Sequence, residues 1–477
     1  MQVNHSLGAA DLARKIDHLW DLSAAKIVAI EKTWDPRGGS PVFTVEGQYT
    51  SRGWTEWTQG FQYGSLILQF DATGEGSFLD IGREMTLKVM ARHLTHFGVH
   101  DHGFNNVSTF GNLWRLMREA RLKPDDWERA CYELALKCSG AVQARRWTRI
   151  ADGSGFIYSF NGPHSLFADT IRSLRSLGLA YRLGHTMMEE KDRPVSLLER
   201  LIQHAQTTAT YAVYYGEGRD QYDVWGRVAH ESIFNTNDGS FRCPNSQQGF
   251  SPFTTWTRGL AWIMCGYAEE LEFLATLADD ELEPFGGRAS VEGTMLRAAR
   301  AGCDHYIDHT PADGIPYWDT GAPGLVHLGD YLARPADPYN DYEPVDSSAA
   351  AIGAQGLLRL GRYLQERGQR EEGQRYWQAG LTVLEALLAE PYLSTSAEHQ
   401  GLLLHSVYHR PNGWDFVPPG ARIPRGESSM WGDYHAREVA LSLQRVIRGE
   451  AYYTFFGPQR ASGCPSAKPD TAPRGAL

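Results

Sequence analysis

Cysteine is scarce in this chain, and none is placed for a disulfide framework or a zinc site. Six occur, at Cys131, Cys138, Cys243, Cys265, Cys303 and Cys464. None forms a CxxC pair and no Cys/His group has metal-ligand spacing. The pattern suits reduced thiols, so we expect a cytoplasmic protein with no metal and no cofactor. Long apolar runs are missing too: none reaches the ~20 residues that span a bilayer. The N-terminal segment lacks the basic stretch followed by an apolar run that marks a signal peptide. Positive charge is in deficit, with 46 Lys plus Arg against 57 Asp plus Glu, a net charge of −11. Nucleic acid and anionic membranes both need a basic face, so neither is an expected partner. An anionic small substrate would have to be held by local Arg, His and amide donors.

What is abundant is aromatic residues and helical periodicity. Aromatics make up 12% of the chain and 14 are Trp, a residue that serves flat, amphipathic ligands such as sugar rings as well as cores. Across 477 residues an amphipathic helix repeatedly alternates with a more apolar, small-residue-rich one. The amphipathic members span 10–31, 80–97, 125–148, 195–213, 292–309 and 370–389. The apolar members span 57–72, 108–120, 165–183, 256–274, 346–364 and 429–447. Thr73-Gly74 marks a helix stop. Helices apolar all round are buried and those with a polar face are superficial. Six such pairs predict an all-α (α/α)6 barrel, an internal repeat that replaces a three-domain guess from length alone. The expected organisation is one catalytic domain over 1–456 and a disordered tail over 457–477, rich in Pro, Gly, Ser and Ala. An open superhelix is the alternative. Three long insertions, 214–255, 310–345 and 390–428, all fall between an outer helix and the next inner one, so they gather on one rim, where loops of that length carry function.

Polar and aromatic residues crowd the start of each inner helix. They are Trp54-Thr55-Glu56-Trp57, His100-Asp101-His102-Gly103-Phe104, His164 with Asp169, Trp256-Thr257-Arg258-Gly259, Asp346-Ser347-Ser348, and Glu427-Ser428-Ser429 with Asp433. In a toroid these N-termini converge on a central funnel, where free amides favour negative charge. Ordinary N-capping competes with that reading, above all for Asp346-Ser347-Ser348 and Glu427-Ser428. Asp101 either caps a helix or serves chemistry. Asp169, in an apolar helix, either pairs with Arg172 or Arg175 or faces the funnel. Arg258, between Trp256 and Trp262, suits carboxylate binding or a structural cation–π contact.

The ordered set of motifs resembles one family. It comprises Trp57-Thr58-Gln59-Gly60-Phe61 leading to Ala72-Thr73-Gly74, His100-Asp101-His102-Gly103-Phe104, Asp169 within SLFADTIRSL, His230, Gln248-Gly249, Trp256-Thr257-Arg258-Gly259-Leu260-Ala261-Trp262, Asp346-Ser347-Ser348-Ala349-Ala350 and Gly432-Asp433-Tyr434. Over about 15–450 the chain is similar to the unsaturated glucuronyl hydrolases, glycoside hydrolase family 88, with the unsaturated rhamnogalacturonyl hydrolases of family 105 as relatives. The resemblance implies an (α/α)6 barrel that removes a 4,5-unsaturated uronic acid from the non-reducing end of lyase-generated oligosaccharides. It implies Asp169 as general acid/base and Asp101 as second essential carboxylate. It implies His100, His230, Gln248, Arg258 and Trp262 as sugar-site residues, with Trp57 and Trp256 as aromatic walls. The apolar context of Asp169 is expected to raise its pKa, so that the acid is protonated near neutral pH.

The sequence departs from the family pattern at Thr170–Leu174, Gln247, Leu260 and Asn105-Asn106, all expected to lie near the sugar and to affect substrate choice. Other classes stay open at this level. One is a conventional uronidase, another a sugar epimerase using paired His from His100, His164 and His230, and a third a non-catalytic carbohydrate-binding toroid. A monomer or homodimer is expected, acting on an oligosaccharide.

Overall fold

The computed structural model describes residues 1–53 and 56–457. The tail expected to be disordered lies outside the described residues beyond Gly457, as do Trp54 and Thr55 of the first motif.

Twelve main helices occur among the described residues. They are α1 (Ala13–Thr33), α2 (Gln59–Thr73), α3 (Gly76–Val89), α4 (102–118), α5 (Asp126–Arg145), α6 (170–182), α7 (Leu197–Tyr211), α8 (Thr257–Leu274), α9 (Gly287–His309), α10 (Ser347–Glu366), α11 (Arg370–Leu387) and α12 (Met430–Ile447). Burial sorts them into two sets. In α2, α8, α10 and α12 nearly every side chain is buried. In α1 only one stripe is buried, through Ile16, Leu19, Trp20, Ser23, Ile27 and Ile30. That is the contrast between an inner helix with no solvent face and an outer helix with one.

The inner helices run α2, α4, α6, α8, α10, α12. Each touches the next, and α12 returns to α2, so the ring closes. The outer helices α1, α3, α5, α7, α9 and α11 pack on its outside. This is the (α/α)6 barrel expected from the sequence, and closure removes the open superhelix. The Gly74 stop holds: it is left-handed, φ 77°, and its N–H closes on the Phe70 carbonyl at 2.7 Å.

Two inner helices differ from the expected spans. Over 165–183, Ser165–Phe167 is a strand, paired antiparallel with Glu231–Phe234, and α6 starts only at Thr170. A short apolar run buried on both sides reads the same as strand or helix. Helix α4 begins at His102, six residues before the expected start, and passes through a π segment at Val107–Gly111. Such segments recur at functional sites.

The barrel interior is not purely apolar. Two turns into α12, Glu438 is fully buried, 3.0 Å from Arg172 and 3.5 Å from Arg175 of α6. The Tyr453 hydroxyl donates to it at 3.1 Å, and Arg172 also pairs with Glu269 of α8. Burial alone would raise the Glu438 pKa, but the two arginines outweigh it and hold the carboxyl far below its ordinary range. Removing one member of such a cluster leaves buried charge uncompensated. Glu438→Gln is therefore expected to cost about 3–5 kcal/mol of stability, read by chemical denaturation.

Candidate active site

The N-terminal ends of α2, α4, α6 and α8 open into one cavity of about 560 Å³. Asp101 precedes α4 and Asp169 precedes α6. A backbone contact sets their spacing. The Gly103 N–H donates to Ser173 Oγ at 2.7 Å, and the Gly103 carbonyl accepts from Arg175 Nε at 2.9 Å. A Cβ on Gly103 would lie 2.4 Å from the Ser173 carbonyl oxygen and 2.5 Å from its Cα, so only glycine permits the approach. On the other flank, the Ala168 N–H donates to the His230 carbonyl at 2.9 Å. That bond extends the Ser165–Phe167 strand pairing and sets His230 beside Asp169.

The two carboxylates lie side by side, not across the funnel. His100 Nε2 is 3.4 Å from Asp169 Oδ1 and 3.5 Å from Asp101 Oδ1. Neither aspartate caps its helix with its side chain, and Arg172 and Arg175 turn to Glu269, Glu438 and Gly103 instead. The capping reading of Asp101 and the ion-pair reading of Asp169 are both thereby removed. Electrostatics corrects one expectation. Burial pushes the Asp169 carboxyl up, but His100, His230 and Arg258 outweigh it and its pKa is lowered. The expected rise falls on Asp101 instead, where burial leads and Asp169 adds to it against the pull of His100. Burial would discharge His100, yet the two carboxylates prevail and its pKa is raised.

His230 stands behind the cavity wall. Its Nδ1 accepts the Gln247 and Gln248 N–H groups at 3.0 and 3.3 Å, its ring packs on Phe167 and Trp256, and burial lowers its pKa to about 4. It is thus a neutral imidazole that shapes the Gln247-Gln248 turn. Trp57 lines the cavity and stacks on Trp431 at 5.0 Å. Trp256 and Trp262 also line it, though both are almost wholly buried.

Arg258 lines the cavity as well, but its terminal donors are committed. Nη1 bonds Asp346 at 3.0 Å and the Val407 carbonyl; Nη2 bonds Gln248 Oε1 at 2.9 Å and the Tyr408 carbonyl at 2.8 Å. Its guanidinium also lies over Trp256, 4.5 Å from the ring centroid. The expected carboxylate fork is spent within the protein. What Arg258 does is fix the Gln248 amide, whose Oε1 is taken and whose Nε2 is left to donate.

Of the six clusters at the inner N-termini, not all serve the cavity. Asp346 caps α10 through Ser348 and Ala349 and takes Arg258. Ser429 caps α12. Asp433 holds Leu402, Leu403 and Tyr49, and Glu427 accepts from Gly47. His164 does not line the cavity. Sequence reasoning missed Phe160, Tyr408, His409, Asn412 and Trp414, which do line it. The last four sit in the 390–428 insertion, whose length and aromatics were the available signal. The 310–345 insertion supplies no lining residue; Asp319 from it instead holds the Phe250 N–H at 2.8 Å. Among the described residues no group of three or more His, Cys, Asp or Glu is arranged to hold a metal ion, and no helix is long and apolar enough to cross a membrane.

No family model matches the chain. Among curated proteins it is 27% identical over 401 residues to the unsaturated glucuronyl hydrolase of Bacillus sp. (strain GL1), covering 83% of this chain and 89% of that one. It is 23% identical over 411 residues to the unsaturated chondroitin disaccharide hydrolase of Streptococcus pyogenes serotype M1, covering 84% of each. Among solved structures it superposes on an unsaturated glucuronyl hydrolase specific for heparin with a TM-score of 0.68 at 19% identity, over 91% of this chain and 98% of that one. The chain resembles the unsaturated glucuronyl hydrolases over most of its length.

The departures from the unsaturated glucuronyl hydrolase pattern now have places, and only one is at the cavity. Gln247 lines it. Asn105 Oδ1 accepts from the Gly60 N–H at 2.9 Å and Asn106 Nδ2 donates to Ser139 Oγ at 2.9 Å, behind the loop. Leu260 is core, and Arg172 belongs to the interior ion cluster. The expectation that every departure lies near the ligand is corrected accordingly.

A lysine at 258 could reach one acceptor but not four. Arg258→Lys is expected to cost about 1–3 kcal/mol of stability through unsatisfied buried acceptors, with the loss visible in the unfolding midpoint. An unchanged midpoint would return Arg258 to a purely ligand-directed role.

Proposed function

We propose that the protein is a glycoside hydrolase that removes a 4,5-unsaturated, glucuronyl-type uronic acid from the non-reducing end of lyase-generated oligosaccharides. The observation that carries this reading is the pair of buried carboxylates flanking one imidazole, inside an aromatic-lined cavity on a barrel that resembles such enzymes. The same proposal takes 1–456 as one catalytic domain, acting in the cytoplasm as a monomer or homodimer.

The chemistry fits two carboxylates without a nucleophile. An unsaturated uronide is a vinyl ether. Asp169, protonated, delivers its proton to C4 as the C4=C5 π pair forms the new C–H bond. Positive charge then develops at C5, shared with the ring oxygen. Water attacks C5 and gives a proton to the ionised Asp169. The resulting hemiketal opens and the second sugar leaves. General acid–base assistance of this kind contributes ~10²–10⁴-fold. Because no covalent intermediate forms, the carboxylate-separation rule for retaining and inverting glycosidases does not govern the outcome. In this scheme Asp101 is the second carboxylate. Trp57 supplies aromatic wall, Gln248 an oriented amide donor, and Trp256 and Trp262 the buried backing.

An epimerase would need imidazoles on opposite sides of the ligand. His100 and His230 both pack on the ring of Phe167, at 5.5 and 4.5 Å, so they belong to one wall, which favours the hydrolase.

The test is incubation with an unsaturated disaccharide from a polysaccharide lyase. Loss of the ultraviolet enoate band with stoichiometric release of the second sugar is expected. Turnover of the saturated disaccharide would favour a uronidase instead, and binding without turnover a carbohydrate-binding toroid. Asp169→Asn is expected to lower kcat at least ~10²-fold with substrate still bound; retention of more than about a tenth of activity would overturn its role. Asp101→Asn should lower turnover at unchanged thermal stability, because Asp101 caps no helix; normal turnover would leave Asp169 acting alone.

A further inference from the structure

Four buried imidazoles surround the carboxylate pair, and three are held in a fixed, neutral state. His204 Nδ1 accepts the Ile157 N–H at 2.9 Å. His102 is bonded on both nitrogens, to Ser139 Oγ and the His96 carbonyl. His230 Nδ1 accepts two backbone N–H groups. Burial lowers His204 to about 3 and His102 and His230 to about 4. His100 differs. Its Nδ1 has no partner, and its Nε2 lies between Asp169 and Asp101 at 3.4 and 3.5 Å, within conventional hydrogen-bond geometry of neither. The ring itself does not wander: Phe160 stacks on it at 5.9 Å, Phe167 meets it edge-on at 5.5 Å, and its backbone carbonyl accepts from Gln143 Nε2 at 2.9 Å. The imidazole is clamped in place while its proton is left unassigned.

We propose that His100 is a positioning residue that shares one proton with Asp169, so that the pair delivers it from the carboxyl at a pH where an isolated carboxyl would already be ionised. This rests on the hydrolase reading above. It also answers a difficulty in that reading, since a carboxyl beside a cation is a poor reservoir of protons near neutral pH. The pair has two one-proton forms: imidazolium with carboxylate, and neutral imidazole with carboxylic acid. The second protonates C4, leaving neutral His100 and ionised Asp169. The water that attacks C5 returns a proton to Asp169, and the pair again holds one. Nothing else is consumed.

Such a pair titrates as a unit. The groups facing His100 are Asp101 on its own loop, Asp169 before α6, Arg146 after α5, His102 at the start of α4, His204 of α7 and His230 beyond Phe167, with His96 next to Asp101 and His102. The carboxylates prevail, so the last proton leaves above the ordinary imidazole value of 6.5. The alkaline limb of the kcat profile then belongs to the pair and not to a carboxyl.

Two measurements decide the proposal. In His100→Gln, which keeps a polar side chain but cannot hold the proton, the alkaline limb should move down by at least about 1 pH unit, with the acid-side plateau kept within about tenfold. An unmoved limb would make His100 merely structural, and an upward move would mean that it only depresses Asp169; either result overturns the sharing. The second reads the proton directly, by imidazole 15N chemical shifts of the full-length protein. The His100 signal, assigned by its loss in His100→Gln or, should that variant not fold, in His100→Asn, should titrate above 6.5 and fall in Asp169→Asn. A His100 that stays neutral between pH 5 and 8 overturns the proposal whatever the kinetics show. A wild-type protein inert towards the unsaturated disaccharide would refute the hydrolase reading instead, leaving the shifts to report on the proton alone.

Discussion

Where α4 meets α6, the backbones of Gly103 and Ser173 approach so closely that a single added methyl carbon would overlap the Ser173 carbonyl. The chain secures the approach with bonds in both directions, from the Gly103 N–H to Ser173 Oγ and from Arg175 Nε to the Gly103 carbonyl. Everything that defines the carboxylate pair hangs on this contact. Asp101 and His100 lie just before Gly103, and Asp169 lies just before the turn that ends at Ser173. Spread the two helices by the width of a side chain and His100 could no longer sit between the two aspartates. Gly60 makes a similar approach to Asn105, so the His-Asp loop is gripped from α2 as well as from α6.

The same contact explains how the barrel tolerates so much buried charge. Arg175, which secures Gly103, belongs with Arg172, Glu269 and Glu438 to the ion cluster inside the ring. Each member is desolvated and each depends on its partners, so the cluster contributes registry between α6, α8 and α12 more than net stability. Registry is what a site built from several helix ends requires. A group carried on one of those ends and misplaced by about 1 Å can cost ~10²-fold in rate, so independent segments must be held in fixed relation.

Much of this was legible in the residues. The alternation of amphipathic and apolar helices is a direct consequence of nested rings, so it could be counted, and Thr73-Gly74 stopped α2 where a left-handed residue was needed. Asp101 and Asp169 could be singled out because each sat where an ordinary cap or ion pair was an awkward explanation. What was hidden depended on contacts distant in sequence. Ser165–Phe167 became a strand only because Glu231–Phe234 lay alongside it. The pKa of Asp169 could not be read from its apolar neighbours, because the groups that lower it, His100 and His230, come from other segments. Asp346 looked like a cap and is one, but its second bond, to Arg258, is visible only once α8 and α10 are adjacent. Phe160 carried no signal, being one aromatic in a turn.

Arg258 shows how an acidic protein can place a cation in a cavity wall without leaving it bare. Among the described lining residues it is the only Lys or Arg, and a guanidinium left unpaired there would be buried and costly. Bound instead to Asp346, two carbonyls and Gln248, it is neutralised where it stands, and its influence passes outward through its one neutral side-chain partner. Gln248 accepts on Oε1 and keeps Nε2 to donate. Its backbone N–H, with that of Gln247, is held by His230, whose carbonyl in turn holds Ala168 next to Asp169. The arginine, the amide, the imidazole and the acid form one connected chain, in which the charged group sets the orientation, His230 backs the wall, and Gln248 and Asp169 line the cavity. That arrangement costs less desolvation than a free cation, and it ties the placement of an oriented donor to the placement of Asp169.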